Sequence, residues 1–160
     1  MASVEPAEID IATLAQLTAA AANRHLLTAL RALGHPDVRA SHGYLLQHLI
    51  NGDPTVSDLA DQMRVTQQRA SAQVRELEHL GYVTRRTDMA DNRVRRISLT
   101  ARGEDLIADG RHVRAQLNAV LIDAAGEDSV HTTAETLSRL LDAVGGAEQI
   151  RRRSAPLPED

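Results

Sequence analysis

The sequence predicts a mainly α-helical fold built around a winged helix-turn-helix, and three observations carry that reading. Residues 55–103 run in the order short helix, short helix, strand, polar loop, strand and helix start. The same stretch holds nine arginines against six acids, whereas the whole 160-residue chain carries a formal charge of −4. The segments on either side have apolar residues in steps of three and four, the rhythm of a helix–helix seam.

The composition sets outer limits. At 160 residues and 42 % hydrophobic, the chain fits one domain with a real core. Tyr44 and Tyr82 are its only aromatics, so that core is aliphatic. Cysteine is absent, which excludes disulfides, thiol catalysis, thiol-based redox sensing and cysteine-ligated zinc. The acidic start MASVEPAEIDIA has no signal-peptide pattern, and no apolar run approaches the ~18 residues of a membrane span. These features point to a soluble cytoplasmic protein with no membrane partner. All 18 basic residues are Arg.

Taken in order, the first helix is expected over residues 9–33. Asp10 is its cap, and Gly34 with Pro36 is its stop. Its apolar residues spread over more than one face, as in a helix buried between two surfaces. Ser41 is expected to cap a second helix to residue 50, with Leu45, Leu46 and Leu49 inward. Asn51-Gly52-Asp53-Pro54 then turns the chain.

Thr55 and Asp58 form a capping box for a short helix whose face is Val56, Leu59, Ala60 and Met63. Thr66 caps the next helix, which runs to residue 80 and stops at Gly81. On a wheel of ~100° per residue, Ala70, Val74 and Leu77 face inward. The opposite face carries Gln68, Ala72, Arg75 and His79, flanked by Arg69. A major-groove helix needs small residues for close approach and side chains that bond base edges. Thr66, Gln67, Gln68, Arg69, Ser71, Ala72 and Arg75 supply both. A solvated amphipathic face is the competing account of this helix alone.

The strands decide between the two. Residues 82–86 and 95–99 form a two-stranded wing around a polar loop. Arg93 near its tip suits the narrow minor groove, with Asp91 expected to hold its guanidinium. Arg85, Arg86, Arg95 and Arg96 would flank phosphates, the salt-sensitive part of affinity. Thr100 caps a long helix to residue 125, with Leu106, Gly110, Val113, Leu117, Val120 and Ala124 in register. A last helix spans residues 130–144, with Val130, Ala134, Leu137, Leu141 and Val144.

The motifs TVSDLADQM and VTQQRASAQVRELEHLGYV, with the wing that follows, resemble the MarR family of bacterial transcription regulators. The family's wing signature falls on Asp88, Asp91, Arg93, Ile97, Leu99, Thr100 and Gly103. Its usual Pro after the first Asp and second Arg beside Arg93 are replaced by Met89 and Asn92, which implies a weaker grip. The resemblance implies a homodimer on a pseudo-palindromic double-stranded DNA operator, acting as a repressor of its own or a neighbouring promoter. It implies a single domain in which helices 9–34 and 101–146 dimerise and residues 41–103 bind DNA. The basic triplet and the Pro-rich polar residues after it make 147–160 a disordered tail in which Arg151, Arg152 and Arg153 are solvated.

It also implies a small-molecule effector crevice between the dimer helices and the DNA-binding lobe. Candidate liners are His25, Arg39, His42, Tyr44, Gln47, His48 and His112. No pair of histidines has an H-x-x-x-H spacing, so no metal site is expected at His42, His48 and His112, and no cofactor. No nucleophile–base pairing or phosphate loop is visible, so the chain does not read as an enzyme. The alternative is a winged-helix module that binds protein and not DNA. The exposed Gln68, Arg75 and Arg93 argue for DNA.

Overall fold

In the computed structural model, residues 5–146 are described. The expected tail at 147–160, with Arg151, Arg152 and Arg153, lies outside them. After a short 3-10 turn at Pro6–Glu8 come α1 (Ile11–Ala32), α2 (Ala40–Leu49), α3 (Val56–Met63) and α4 (Gln67–His79). They are followed by β1 (Val83–Thr87), β2 (Arg95–Leu99), α5 (Ala101–Ala125) and α6 (Glu127–Ala143).

The helix ends follow local chemistry. The Asp10 carboxylate accepts the Ala12 and Thr13 N–H groups and starts α1. Gly34, at φ +98°, closes it. Its N–H donates to Arg31 O and the His35 N–H to Leu30 O, the paired bonds of a left-handed stop. The α4 end repeats this with Gly81 at φ +80° and Tyr82 N–H donating to Leu77 O.

Besides shifts of one or two residues, such as the first strand at Val83–Thr87 rather than 82–86, two helix starts differ from the sequence reading in how they are capped. The second helix starts at Ala40, not after Ser41, because the His42 side chain does the capping. Its Nδ1 accepts the Arg39 N–H at 3.3 Å, and Ser41 is buried inside the first turn. The last helix starts at Glu127, three residues early. Gly126, at φ +82°, ends α5 and is also the N-cap of α6. Glu127 and Asp128 then sit in the first turn, where the helix dipole favours acids.

The core lies between α2, α3, α4, the sheet, the C-terminal end of α1 and the N-terminal half of α5. Leu45, Leu59, Met63, Val74, Leu77 and Ile97 are at most 1 % exposed. The strands are antiparallel, with Val83 opposite Leu99 and Thr87 opposite Arg95. The outer side of β2 is covered, because the Ile97 N–H donates to Pro54 O. The start of α5 is locked onto β1. Thr100 N–H donates to Tyr82 O, and the Thr100 hydroxyl donates to Gly81 O while accepting the Gly103 N–H.

Past Val113 the packing changes. Val120 and Leu121 on α5 are exposed, as are Ile11 and Leu17 on α1, and α6 has no buried residue. Among the described residues, no helix is long and apolar enough to cross a membrane.

Candidate nucleic-acid interface and cavity

Helix α4 has the two faces its sequence demands. Ala70, Val74 and Leu77 are fully buried, while Gln67, Gln68, Arg69, Ala72, Arg75 and His79 are exposed. Burying two such aliphatic side chains contributes several kcal/mol at roughly 1.5–3 kcal/mol each, so the outward face is fixed by what lies beneath it. Thr66 is exposed and its Oγ1 accepts the Arg69 N–H, which anchors the helix start. Ser71 is half-buried. Gln67 reaches back, its amide donating to Ser57 Oγ at 2.9 Å.

Asp88 organises the wing loop. Its carboxylate accepts the Ala90 and Asp91 N–H groups and pairs with the Arg96 guanidinium. The Arg96 pair, then those backbone bonds, holds its carboxyl below the usual carboxylate range. The sequence reading placed Asp91 against the Arg93 guanidinium. Instead the Asp91 carboxylate accepts the Arg93 backbone N–H at 2.9 Å, so it shapes the turn and leaves the side chain to extend. No ion pair to Arg93 occurs among the described residues, and Arg93 is exposed.

The other wing arginines differ in freedom. Arg86 is exposed. Arg85 is half-buried and donates to Glu78 of α4 at 3.1 Å. Arg95 is exposed and bonds the Thr87 hydroxyl and Asn92 O. Arg96, besides Asp88, donates to Asp53 O. These three therefore brace the wing from within as well as lining it.

A cavity of about 510 Å³ lies between α1, α2 and α5. Of the seven residues proposed for a crevice, it brings together Arg39, Tyr44 and Gln47. His42 is completely buried beside Glu76 of α4, with Nε2 3.4 Å from Oε2. His48 lines a separate polar cleft with Asp53 and Arg96, and His25 and His112 are exposed. Among the described residues, no three His, Asp or Glu side chains are grouped to hold a metal.

The sequence reading missed the cavity's main walls. Leu26, Leu27 and Leu30 come from α1, Leu106 and Ile107 from α5, and Asn23 and Arg114 supply polar groups. The signal was present: both leucine-rich sets sit at helical spacing, and Gly110 marks a gap in α5 over which the Arg114 guanidinium lies.

Residues 37–93 match the model of the MarR family. No curated protein sequence matches the chain. Among solved structures, the YusO protein from Bacillus subtilis is 22 % identical, with a TM-score of 0.67 over 89 % of this chain and 99 % of that one. A MepR mutant from S. aureus bound to an oligodeoxyribonucleotide is 21 % identical, with a TM-score of 0.62 over 86 % and 99 %. S. aureus MepR bound to ethidium bromide is 20 % identical, with a TM-score of 0.63 over 86 % and 99 %.

Proposed function

From the match of residues 37–93 to the MarR family model, we propose that this chain is a homodimeric DNA-binding transcription regulator of that family. The observation that carries this reading is α4: its inner face is sealed, and its outer face presents Gln68, Arg69, Ala72 and Arg75 to solvent. Gln can bond adenine, Arg can bond guanine and Ala can meet the thymine methyl. Arg93 extends from the wing toward the adjacent minor groove, where the potential is most negative. Arg86 and the braced Arg85, Arg95 and Arg96 flank phosphates.

The unpartnered apolar residues of α1, α5 and α6 form the dimer seam. That seam sets two copies of α4 one helical turn of DNA apart, ~34–36 Å, on a pseudo-palindromic operator. Bound there, the dimer represses its own or a neighbouring promoter by blocking polymerase, and it works in the cytoplasm. The α1–α2–α5 cavity takes a small-molecule effector that favours a mis-spaced pair of heads and shifts the population off DNA. A tenfold loss of affinity requires only ~1.4 kcal/mol of differential binding. The complexes of MepR with an oligodeoxyribonucleotide and with ethidium support both halves of this reading.

A gel shift on the intergenic DNA upstream of the coding sequence, at two salt concentrations, tests it. Binding should weaken steeply as salt rises, because phosphate contacts release counterions. No binding to any duplex at low salt would sink the reading.

A further inference from the structure

Gln67 stands apart from the rest of the outer face of α4. Its amide Nε2 donates to Ser57 Oγ at 2.9 Å, so the first residue of α4 is tied to the second residue of α3. Among the described residues, no hydrogen bond or ion pair holds the side chains of Gln68, Arg69 or Arg75.

The tie joins two fixed points. Leu59, Ala60 and Met63 anchor α3, and Ala70, Val74 and Leu77 anchor α4, all of them buried. The link between the helices is also shaped: Arg64, at φ +53°, ends α3, and the Thr66 hydroxyl accepts the Arg69 N–H at the start of α4. Ser57 and Gln67 are both exposed, so the pair lies on the surface that the two helices present together. Gln is among the side chains with most rotamer freedom to lose, and its ordering on a partner opposes binding. Here part of that ordering precedes DNA.

The hydrogen-bond inventory shows what the pair has left to offer. The Gln67 amide has an acceptor oxygen and two N–H donors, and Ser57 takes one of the donors. Oε1 and one N–H remain, the acceptor–donor pair that adenine N6–H and N7 require. Ser57 Oγ accepts from Gln67 and keeps its own proton, and serine hydroxyls are regular donors to phosphate. In a helix-turn-helix dock the first helix crosses the DNA backbone while the N-terminal residues of the second meet base edges. Ser57 lies on the first of these helices and Gln67 opens the second.

We propose that Ser57 and Gln67 form one adenine-reading unit, with Ser57 as its positioning residue. The Ser57 hydroxyl donates to a DNA phosphate while accepting from Gln67, and so aims the amide at one A·T pair in each half-site. The inference rests on the DNA-binding reading above and adds a determinant of sequence to it. Ser57 touches no base and acts through Gln67. In the free protein, water competes for so exposed a bond. Docking excludes that water, and the bond strengthens where it is needed.

Selection from a duplex library with a randomised core, read by sequencing, tests this on the full-length protein. The wild type should favour adenine about tenfold at one pair in each half-site, the usual discrimination of a bidentate contact. Ser57→Ala should flatten that position severalfold and leave the others unchanged. Ser57→Thr keeps the hydroxyl and should keep the preference. Gln67→Ala should flatten the same position. The double variant should be no flatter than Gln67→Ala alone, because one bond carries both effects. Gln67→Glu should exchange adenine for cytosine there, since a carboxylate accepts from cytosine N4. That variant reads the position without disturbing Ser57, and adenine still favoured in it would overturn the proposal. So would a Ser57→Ala profile equal to the wild type, a loss spread evenly over all positions, or additive losses in the double variant. A wild type that binds no duplex at low salt defeats the DNA-binding reading itself. Sequence enrichment that Ser57→Ala leaves untouched defeats this inference alone.

Discussion

His35 and Tyr82, 47 residues apart, share a 3.0 Å hydrogen bond in the core, where α1 and α5 meet the winged lobe. The other ring nitrogen of His35 lies 3.1 Å from Asp109 of α5. Arg102 donates to Tyr82 Oη and to Gly34 O, and its guanidinium sits over the Tyr82 ring. Tyr82→Phe keeps the ring and its cation contact but leaves buried His35 Nδ1 without its partner. The expected loss is roughly 1–3 kcal/mol, the usual consequence of orphaning a buried polar atom. Urea unfolding should show a lower midpoint at unchanged slope.

Gly103 is dictated by the same junction. A Cβ there would overlap the Tyr82 carbonyl, a backbone atom that cannot swing aside. That carbonyl also accepts the Thr100 N–H, so relieving the clash breaks the start of α5. Gly103→Ala should destabilise by roughly 1–3 kcal/mol or more, as overpacking of a tight site does. A clear fall in thermal midpoint is expected. Gly52→Ala, with open space around it, serves as the control and should melt near the wild type.

The capping box of α3 gives a pH test. The Asp58 carboxylate accepts the Thr55 N–H at 2.9 Å and its hydroxyl at 2.8 Å. Chiefly through the Thr55 backbone bond, its carboxyl is held below the ordinary range. The folded state therefore keeps Asp58 ionised where the unfolded chain would protonate it. The stabilisation is complete above the unfolded value, about 4, and is lost as pH falls through the lower folded value. Asp58→Ala should cost about 1 kcal/mol at neutral pH. The gap between its melting temperature and the wild type should narrow as pH falls below about 4.

Most of this fold was legible because its signals are local. Asp10, Thr55, Thr66 and Thr100 each cap the helix expected of them. The second strand begins and ends where its alternation places it. The failures are non-local or hidden by residue type. Nothing in the order of residues ties His35 to Tyr82 or Asp109. His42 was assigned to a crevice because histidine is polar. Yet it stands three, four and seven residues before Leu45, Leu46 and Leu49, on the buried face, and its burial could have been read from that spacing. The candidate DNA face was readable from the wheel of α4. The Ser57–Gln67 tie across two helices was not.

The wing separates two roles that one deletion would merge. Arg93→Ala removes an exposed side chain from a loop whose shape depends on Asp88 and Asp91. It should weaken operator binding about tenfold and leave the melting temperature within a degree or so, as surface changes of ~0.5 kcal/mol do. Asp88→Ala removes two backbone bonds and the Arg96 pair. It should weaken binding while leaving Arg93 in place, because the loop that presents it loses its shape. Fluorescence anisotropy on the operator, paired with thermal melts, checks both. A collapse of stability in Arg93→Ala would place core packing where a solvent-facing tip is expected.

Leu137 is 40 % exposed on a helix with no buried residue, and Leu121 and Val120 on α5 are 56 % and 65 % exposed. A 17-residue helix with no fully buried residue, and only Val130, Leu140 and Leu141 half-buried, has little reason to stay folded unless something covers it, since isolated helices of this length are marginal in water. A second copy supplies the same apolar face and satisfies the two-fold spacing that paired reading helices require. Leu137→Asp places a charge in that seam, where desolvation without a partner is prohibitive. Leu117→Asp does the same at the half-buried turn of α5. Sedimentation velocity should show the wild type as a dimer and both variants as monomers, with α6 helicity lost in circular dichroism. Monomeric variants should also lose operator affinity far more than a single head contact would explain, because the second head then binds independently. A dimer that persists through both substitutions would confine the seam to the α1 surface, where Ile11 and Leu17 are exposed.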